Sequence, residues 1–194
     1  MKLIVYPAHF GEPSASPFCV KVMMLLNVAG LDYTVEETAD PRKAPKRKLP
    51  VLNDDGRIVA DSDQIRDYIE QHYGYDFDGG LTDEQRAISR SIIRMVEEHL
   101  YFAIVCDRWM NDDNWEHMKR AFFPDIPFPV KGIVTKFIRK QALFGLDGQG
   151  MGRYSTEERF ERVSKDVAAL PARTKKSPFL FGDTPTAADM SAIS

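Results

Sequence analysis

Only two cysteines, Cys19 and Cys106, occur in the 194 residues, and they lie far apart. That spacing excludes a disulfide framework and a thiolate zinc site. The four histidines, His9, His72, His99 and His117, fall in no metal-ligand spacing. Positive charge is not in excess either, with 26 basic residues against 29 acidic ones and a net charge of −3. Nothing in that balance draws the chain to nucleic acid. No apolar run approaches the ~20 residues that a membrane-spanning helix needs. Lys2 is followed by only four apolar or aromatic residues, which reads as a strand and not as a secretory signal. Internal repeats and low-complexity tracts are missing too. The expected compartment is therefore a reducing cytoplasm, and 43% hydrophobic residues suffice for a real core.

What is present reads as alternating elements. Residues 2–6 (KLIVY) predict a first strand, and the Gly-, Pro- and Ser-rich residues 7–15 a loop. The apolar run 20–28, closed by Ala29-Gly30, predicts a helix with Ser16 at its N-cap and Pro17 at its first position. Residues 32–36 alternate around Tyr33 and Val35 and predict a second strand. Residues 41–48 (PRKAPKRK) are basic and proline-broken, so a short irregular helix or loop is expected. Residues 49–53 and 57–60 flank a D-G turn, a hairpin signal. After Asp61-Ser62, the residues Ile65, Tyr68, Ile69 and Tyr73 recur at helical spacing.

Residues 74–81 (GYDFDGGL) form the expected linker, with Gly79-Gly80 at the boundary. Capping boxes at Thr82/Gln85, Ser155/Glu158 and Thr186/Asp189 predict three helix starts, the first opening a long helix toward Met110. Between Asn111 and Arg153 the pattern is broken by Pro124, Pro127 and Pro129, and only residues 134–144 read as helical. Gly145, Gly148, Gly150 and Gly152 read as a loop.

The chemistry concentrates in residues 14–21 (SASPFCVK). A strand, a loop and then Ser-Pro at a helix start place a hydroxyl and a thiol where unpaired N–H groups and the helix dipole favour negative charge. A thiolate or carboxylate is stabilised there. Ser16 equally suits a plain cap, worth ~1 kcal/mol, and Ser14 competes for the same role. Cys19 suits a small buried residue, and with serine ahead of it no dithiol can form at this place. Lys21 can pair with an anion near the helix start, with a solvated lysine as the default.

The segment S-P-F-C-V-K resembles the C-P-[FY]-C-x-K motif of glutaredoxins with serine in place of the first cysteine, and it is similar to the N-terminal half of the glutathione transferase superfamily. Residues 149–155 (QGMGRYS) resemble the Q-G-x-G-R-[HY]-S segment of the superfamily's failed axon connections and metaxin-like branch. The order β-α-β-α-β-β-α, with an X-Pro ahead of the hairpin, is that of a thioredoxin-like domain. The resemblance implies that Ser16 donates a hydrogen bond to the sulfur of glutathione and favours the nucleophilic thiolate. It implies further glutathione contacts at Phe18, Leu49, Pro50, Asp61 and Ser62. The Leu49-Pro50 bond would be cis, turning the backbone of Leu49 outward to pair with the peptide. Ser62 and helical N–H groups would take the γ-glutamyl carboxylate, and Asp61 the amino group.

Gln64 departs from the alanine frequent two residues after this serine. Tyr101, Arg108 and Trp109, on the helix that also carries Cys106, would line the pocket of a hydrophobic substrate. Arg153 can meet a carboxylate, with a solvated or helix-pairing arginine as the plainer reading. In this superfamily the Thr-x-x-Asp box starts a central helix with more helices after it, so the natural chain is expected to continue beyond Ser194.

The expected fold is thus an α/β thioredoxin-like domain over residues 1–77 and an all-α, glutathione-transferase-type domain from residue 82. The expected function is conjugation of glutathione, as co-substrate, to a small hydrophobic electrophile, with no metal ion and with the homodimer common in the superfamily. Two other readings stand beside it. One is a non-catalytic metaxin-like binding or scaffold module. The other is a glutathione-dependent thiol reductase, which needs Cys19 exposed.

Overall fold

The computed structural model describes residues 1–123, 126–127, 129–170 and 177–194. The chain packs as two compact units, Met1–Ile93 with Arg173–Ser194, and Arg94–Ala172. The first is built on a four-stranded mixed sheet of order β2-β1-β3-β4. Strand β1 (Lys2–Val5) runs parallel to β2 (Thr34–Glu37) and antiparallel to β3 (Val51–Asp54), which pairs antiparallel with β4 (Arg57–Ala60). Leu3 and Val5 point inward from β1, as period-two alternation requires, while β2 is exposed throughout as an edge strand. Asp55 and Gly56 both have positive φ, 47° and 96°, so the D-G turn has the primed geometry that matches strand twist.

Helix α1 (Pro17–Val28) buries Val22, Leu25 and Leu26, and α2 (Ser62–Tyr73) buries Ile65 and Ile69. The two helices touch one another, and α2 packs on β3 and β4. Between β2 and β3 the proline-broken basic stretch forms one 3-10 turn, Pro41–Lys43, as a short irregular element should. The thioredoxin-like reading of this half therefore stands.

The compact units divide the chain after Ile93, beyond the linker at Gly79-Gly80. Asp78 is buried and accepts from Arg66 Nη2 (2.9 Å), Ser89 Oγ (3.1 Å) and the Ala187 N–H (3.2 Å). It thereby ties α2, the first part of α3 (Asp83–Met95) and the start of α8 (Ala187–Ile193) to one another. Two of the predicted capping boxes are closed here. Thr82 and Gln85 bond reciprocally at the head of α3, and Thr186 and Asp189 do so at the head of α8. Asp189 also accepts from the Leu180 N–H at 2.8 Å, which fastens the preceding turn.

The second unit is helical. A π turn, Val96–Leu100, joins α3 to α4 (Tyr101–Met110), so the long predicted helix is continuous but widened by one residue in its middle. Helix α5 (Asp112–Phe122) was not legible in the sequence; Asn111 caps it, and Trp115 and Met118 are buried one turn apart. Helix α6 (Val130–Gln149) is longer than residues 134–144 and runs through Gly145 and Gly148, correcting the glycine loop. Each glycine costs a helix about 1 kcal/mol. Packing of Leu143 and Leu146 against Cys106 and Phe102 of α4, with Met151 beside them, offsets that cost. The helix ends at Gly150, whose φ is 106°. Gly152 sits so close to the backbone of Leu146 that a Cβ would lie 2.9 Å from its carbonyl carbon. Ser155 closes the third capping box at the head of α7 (Thr156–Ala169). Pro124 lies outside the described residues.

Asp78→Ala leaves the Arg66 guanidinium, nearly buried, with one carboxylate fewer. It should cost about 3–5 kcal/mol in urea unfolding, the scale for breaking a buried pair. Glu36→Ala, which removes the exposed pair with Lys2, should cost no more than about 1 kcal/mol. Equal losses would remove Asp78 from its central place.

Candidate functional site

The site begins where β1 hands over to α1. Ser16 stands at the N-cap of α1, half-buried, with extended φ and ψ of −109° and 123°. Its carbonyl accepts from the N–H groups of Cys19 (3.0 Å) and Val20 (3.1 Å), but its hydroxyl makes no capping bond. The plain-cap reading of the Ser16 side chain is thus not what the geometry shows. Ser14, the competitor, is buried and donates its hydroxyl proton to the Tyr6 carbonyl at 2.8 Å, which holds the loop on the end of β1. Ahead of both, His9 and Glu12 exchange backbone bonds around a tight turn that holds Phe10 at φ 61°, with its ring exposed. No apolar or charge pattern marks Phe10 in the sequence, and it was passed over there.

Leu49-Pro50 is cis, and both residues are buried. The Pro50 carbonyl accepts from the Asp61 N–H at 3.3 Å. The ladder brings these groups together: Ile4 pairs with Val51, and Val51 with Ala60. The end of β1, the start of β3 and the end of β4 therefore meet at one end of the sheet. Leu49-Pro50 and Asp61 adjoin those strand ends directly, Ser16 is brought back toward the end of β1 by the bonds of Ser14 to the Tyr6 carbonyl and of the Ala15 N–H to the Pro7 carbonyl (2.9 Å), and Phe18 lies half-buried in the first turn of α1.

At the head of α2 the cap is Asp61, one residue earlier than a start at Ser62 followed by Asp63 would place it. Its Oδ1 accepts from the N–H groups of Asp63 (3.0 Å) and Gln64 (3.3 Å), and its φ is 93°. A non-glycine residue at that φ is strained, a condition that clusters at ligand sites. Asp61 is exposed, and both capping bonds go to one oxygen. Ser62 is the first helical residue and is buried. Because Gln64 contributes its backbone N–H to the cap, the side-chain departure at that position leaves the turn intact.

Two neighbours of Ser16 behave differently from one another. The Cys19 thiol is fully buried, and burial pushes its pKa up, against the pull of the Tyr6 backbone and the Ser14 and Ser16 hydroxyls. The exposed thiol that a reductase needs is missing. Lys21, expected in solvent, is fully buried with its Nζ 3.3 Å from Asp63 Oδ1. Asp63 also holds Arg90 of α3 at 2.6 Å, so this carboxylate links α1, α2 and α3. The only sequence signal for that pair was an acid in the first turn of α2.

In the helical unit, Tyr101 and Arg108 stand two turns apart on one face of α4, and burial pushes the Arg108 pKa down. Trp109 instead packs on the Cys106–Leu146–Met151 cluster, its ring 5.2 Å from that of Trp115. Arg153 pairs with Asp147 of the preceding helix at 3.2 Å, the helix-pairing arrangement. Among the described residues no group of three or more His, Cys, Asp or Glu is placed to hold a metal ion, and no helix is long and apolar enough to cross a membrane.

Residues 17–114 match the family described as the glutathione S-transferase N-terminal domain. The chain is 33% identical to the isoprene-epoxide glutathione S-transferase of Rhodococcus sp. (strain AD45) over 97% of its length and 82% of that protein's. It is 32% identical to Failed axon connections of Drosophila melanogaster over 99% of its length, spanning about half (49%) of that relative. Mouse metaxin-1 is 23% identical, over 97% of this chain and 62% of its own. Among solved structures, glutathione transferase GSTFuA3 of Phanerochaete chrysosporium superposes with a TM-score of 0.63 at 21% identity, over 98% of this chain and 80% of that one.

Both cysteines are fully buried, and burial raises both pKa values. The native protein should therefore leave both thiols unreactive toward Ellman's reagent at pH 8 and show two only when denatured. A fast-reacting native thiol would reopen the reductase reading.

Proposed function

Because the chain belongs to the glutathione S-transferase family, we propose that it binds glutathione and conjugates the thiolate to a small hydrophobic electrophile. The observation that carries the reading is the Ser16 hydroxyl, which starts α1 without serving as its cap, on the loop that Ser14 ties to the end of the sheet where Leu49-Pro50 and Asp61 also meet. In this reading the hydroxyl donates to the glutathione sulfur, and the α1 N-terminus favours the negative charge. The Leu49 backbone pairs with the peptide. Asp61 receives the γ-glutamyl ammonium while it continues to cap α2, and Ser62 with the first N–H groups of α2 takes the carboxylate.

The electrophile class we assign is a small apolar epoxide, supported by the name of the Rhodococcus relative. The thiolate forms a C–S bond as the C–O bond breaks, and the alkoxide takes a proton from water. No step calls for a metal ion. Contacts to the electrophile are assigned to Tyr101 and Arg108 on the resemblance alone. A cytoplasmic location and a homodimer belong to the same proposal, the first supported by two free cysteines.

A second reading, a non-catalytic metaxin-like binding or scaffold module, is favoured by the likeness to Failed axon connections and metaxin-1, whose names carry no reaction. Two substitutions separate the readings. Ser16→Ala removes no capping bond, so the melting temperature should hold while conjugation of an epoxide falls at least tenfold. Asp61→Asn keeps the cap oxygen and removes the charge. It should weaken glutathione binding, measured by calorimetric titration, by about 1.5–3 kcal/mol, the scale of a hydrogen bond to a charged group. Glutathione binding without turnover in the parent protein would favour the module, and no binding at all would end the conjugation reading and leave the scaffold.

A further inference from the structure

The thiolate is assigned to the start of α1 and the γ-glutamyl group to the start of α2, so one ligand spans both only if the spacing of the two helix starts is held. Lys21 lies in the second turn of α1, and it is fully buried. From there its Nζ reaches Asp63 Oδ1 at 3.3 Å. Asp63 is the second residue of α2, and its N–H donates to Asp61 Oδ1 at 3.0 Å. One residue thus receives the α1 ammonium on its side chain and holds the Asp61 carboxylate with its backbone. Its other oxygen, Oδ2, holds Arg90 of α3 at 2.6 Å, so the carboxylate is fixed from two sides. An ammonium group is costly to bury, and a packed apolar side chain would fill the same space at less cost. What the apolar side chain would not supply is a directed bond from α1 to the first turn of α2.

We infer that Lys21 is a positioning residue for the γ-glutamyl arm: through Asp63 it fixes the start of α2, with Asp61 and Ser62, against the start of α1. On the glutathione reading, on which this rests, the link makes the protein selective for thiols that carry the arm over thiols that end at the cysteinyl nitrogen. Loss of the link leaves the rest of the site in place. Ser16 stays on the loop that Ser14 ties to the Tyr6 carbonyl, and Leu49 stays at the head of β3, which pairs with β1. The thiol and the peptide backbone then keep their receptors, while the arm loses the fixed placement of its own.

The test is a pair of titrations of the whole chain, one with glutathione and one with cysteinylglycine, which lacks the γ-glutamyl arm, each followed by amide chemical shifts. Lys21→Met removes the ammonium and fills its space, and Asp63 keeps Arg90, so no carboxylate is stranded. The parent should prefer glutathione. In Lys21→Met that preference should fall about tenfold, through weaker glutathione binding at unchanged cysteinylglycine binding. A lysine that served stability alone would lower the melting temperature and weaken both ligands together, or neither. Lys21→Met with Asp63→Asn removes both charges of the pair and should show the same fall, which covers the case of a single variant that does not fold. Preference retained in a folded variant, or equal losses for the two ligands, would overturn the inference while glutathione binding by the parent stands. A parent that binds neither ligand would end the conjugation reading and this inference with it.

Discussion

The pairing of β1 between β2 and β3 is the constraint on which the candidate site depends. Parallel to β2 and antiparallel to β3, β1 ends where β3 begins and where β4 ends. Three connections that are distant in sequence are thereby gathered at one end of a small sheet. A one-residue slip in that register would turn Leu3 and Val5 to solvent and separate the connections together, so the core and the site are fixed by the same pairing. Within that frame each local feature has its own cause. Ser14 anchors the loop through the Tyr6 carbonyl, Pro17 starts the helix, and the Pro50 carbonyl holds the Asp61 N–H.

Around the sheet, one buried and one half-buried carboxylate do much of the joining. Asp63 gathers Lys21 and Arg90, and Asp78 gathers Arg66, Ser89 and the start of α8. Such groups are costly to bury alone, which makes each arrangement specific: a neighbour that fails to arrive leaves a charge stranded. Helices that the sequence marks as separate are in this way committed to one unit. The helical unit relies on the opposite means, with aromatic and aliphatic packing along α4, α5 and α6. Arg139 adds a polar contact by closing the C-terminal carbonyls of α4, and His99 pairs with Asp166 of α7.

Much of this was readable before the structure, and the reasons differ by residue. The D-G turn, the three capping boxes and the Ser-Pro start of α1 are local, so short-range chemistry suffices to find them. The cis Leu49-Pro50 bond was legible only through the family likeness. Lys21 was misread because its partner is a residue 42 positions away, and no local pattern announces a buried lysine. Which residue caps α2 was not legible because Asp, Ser and Asp in succession all make acceptable caps, and only the backbone φ decides among them. The extent of α5 and α6 was missed because prolines and glycines break the pattern there, while Trp115 and Leu146 restore the helices through contacts that sequence spacing alone does not show.

The account's central claim is that one end of this sheet holds glutathione. Amide chemical shifts of the isotope-labelled chain, followed through a titration with glutathione, test it most directly. Saturable shifts should concentrate in residues 14–18, 49–51 and 61–64, at the three connections that the β1 register gathers. Shifts scattered elsewhere, or no change at millimolar glutathione, would contradict it.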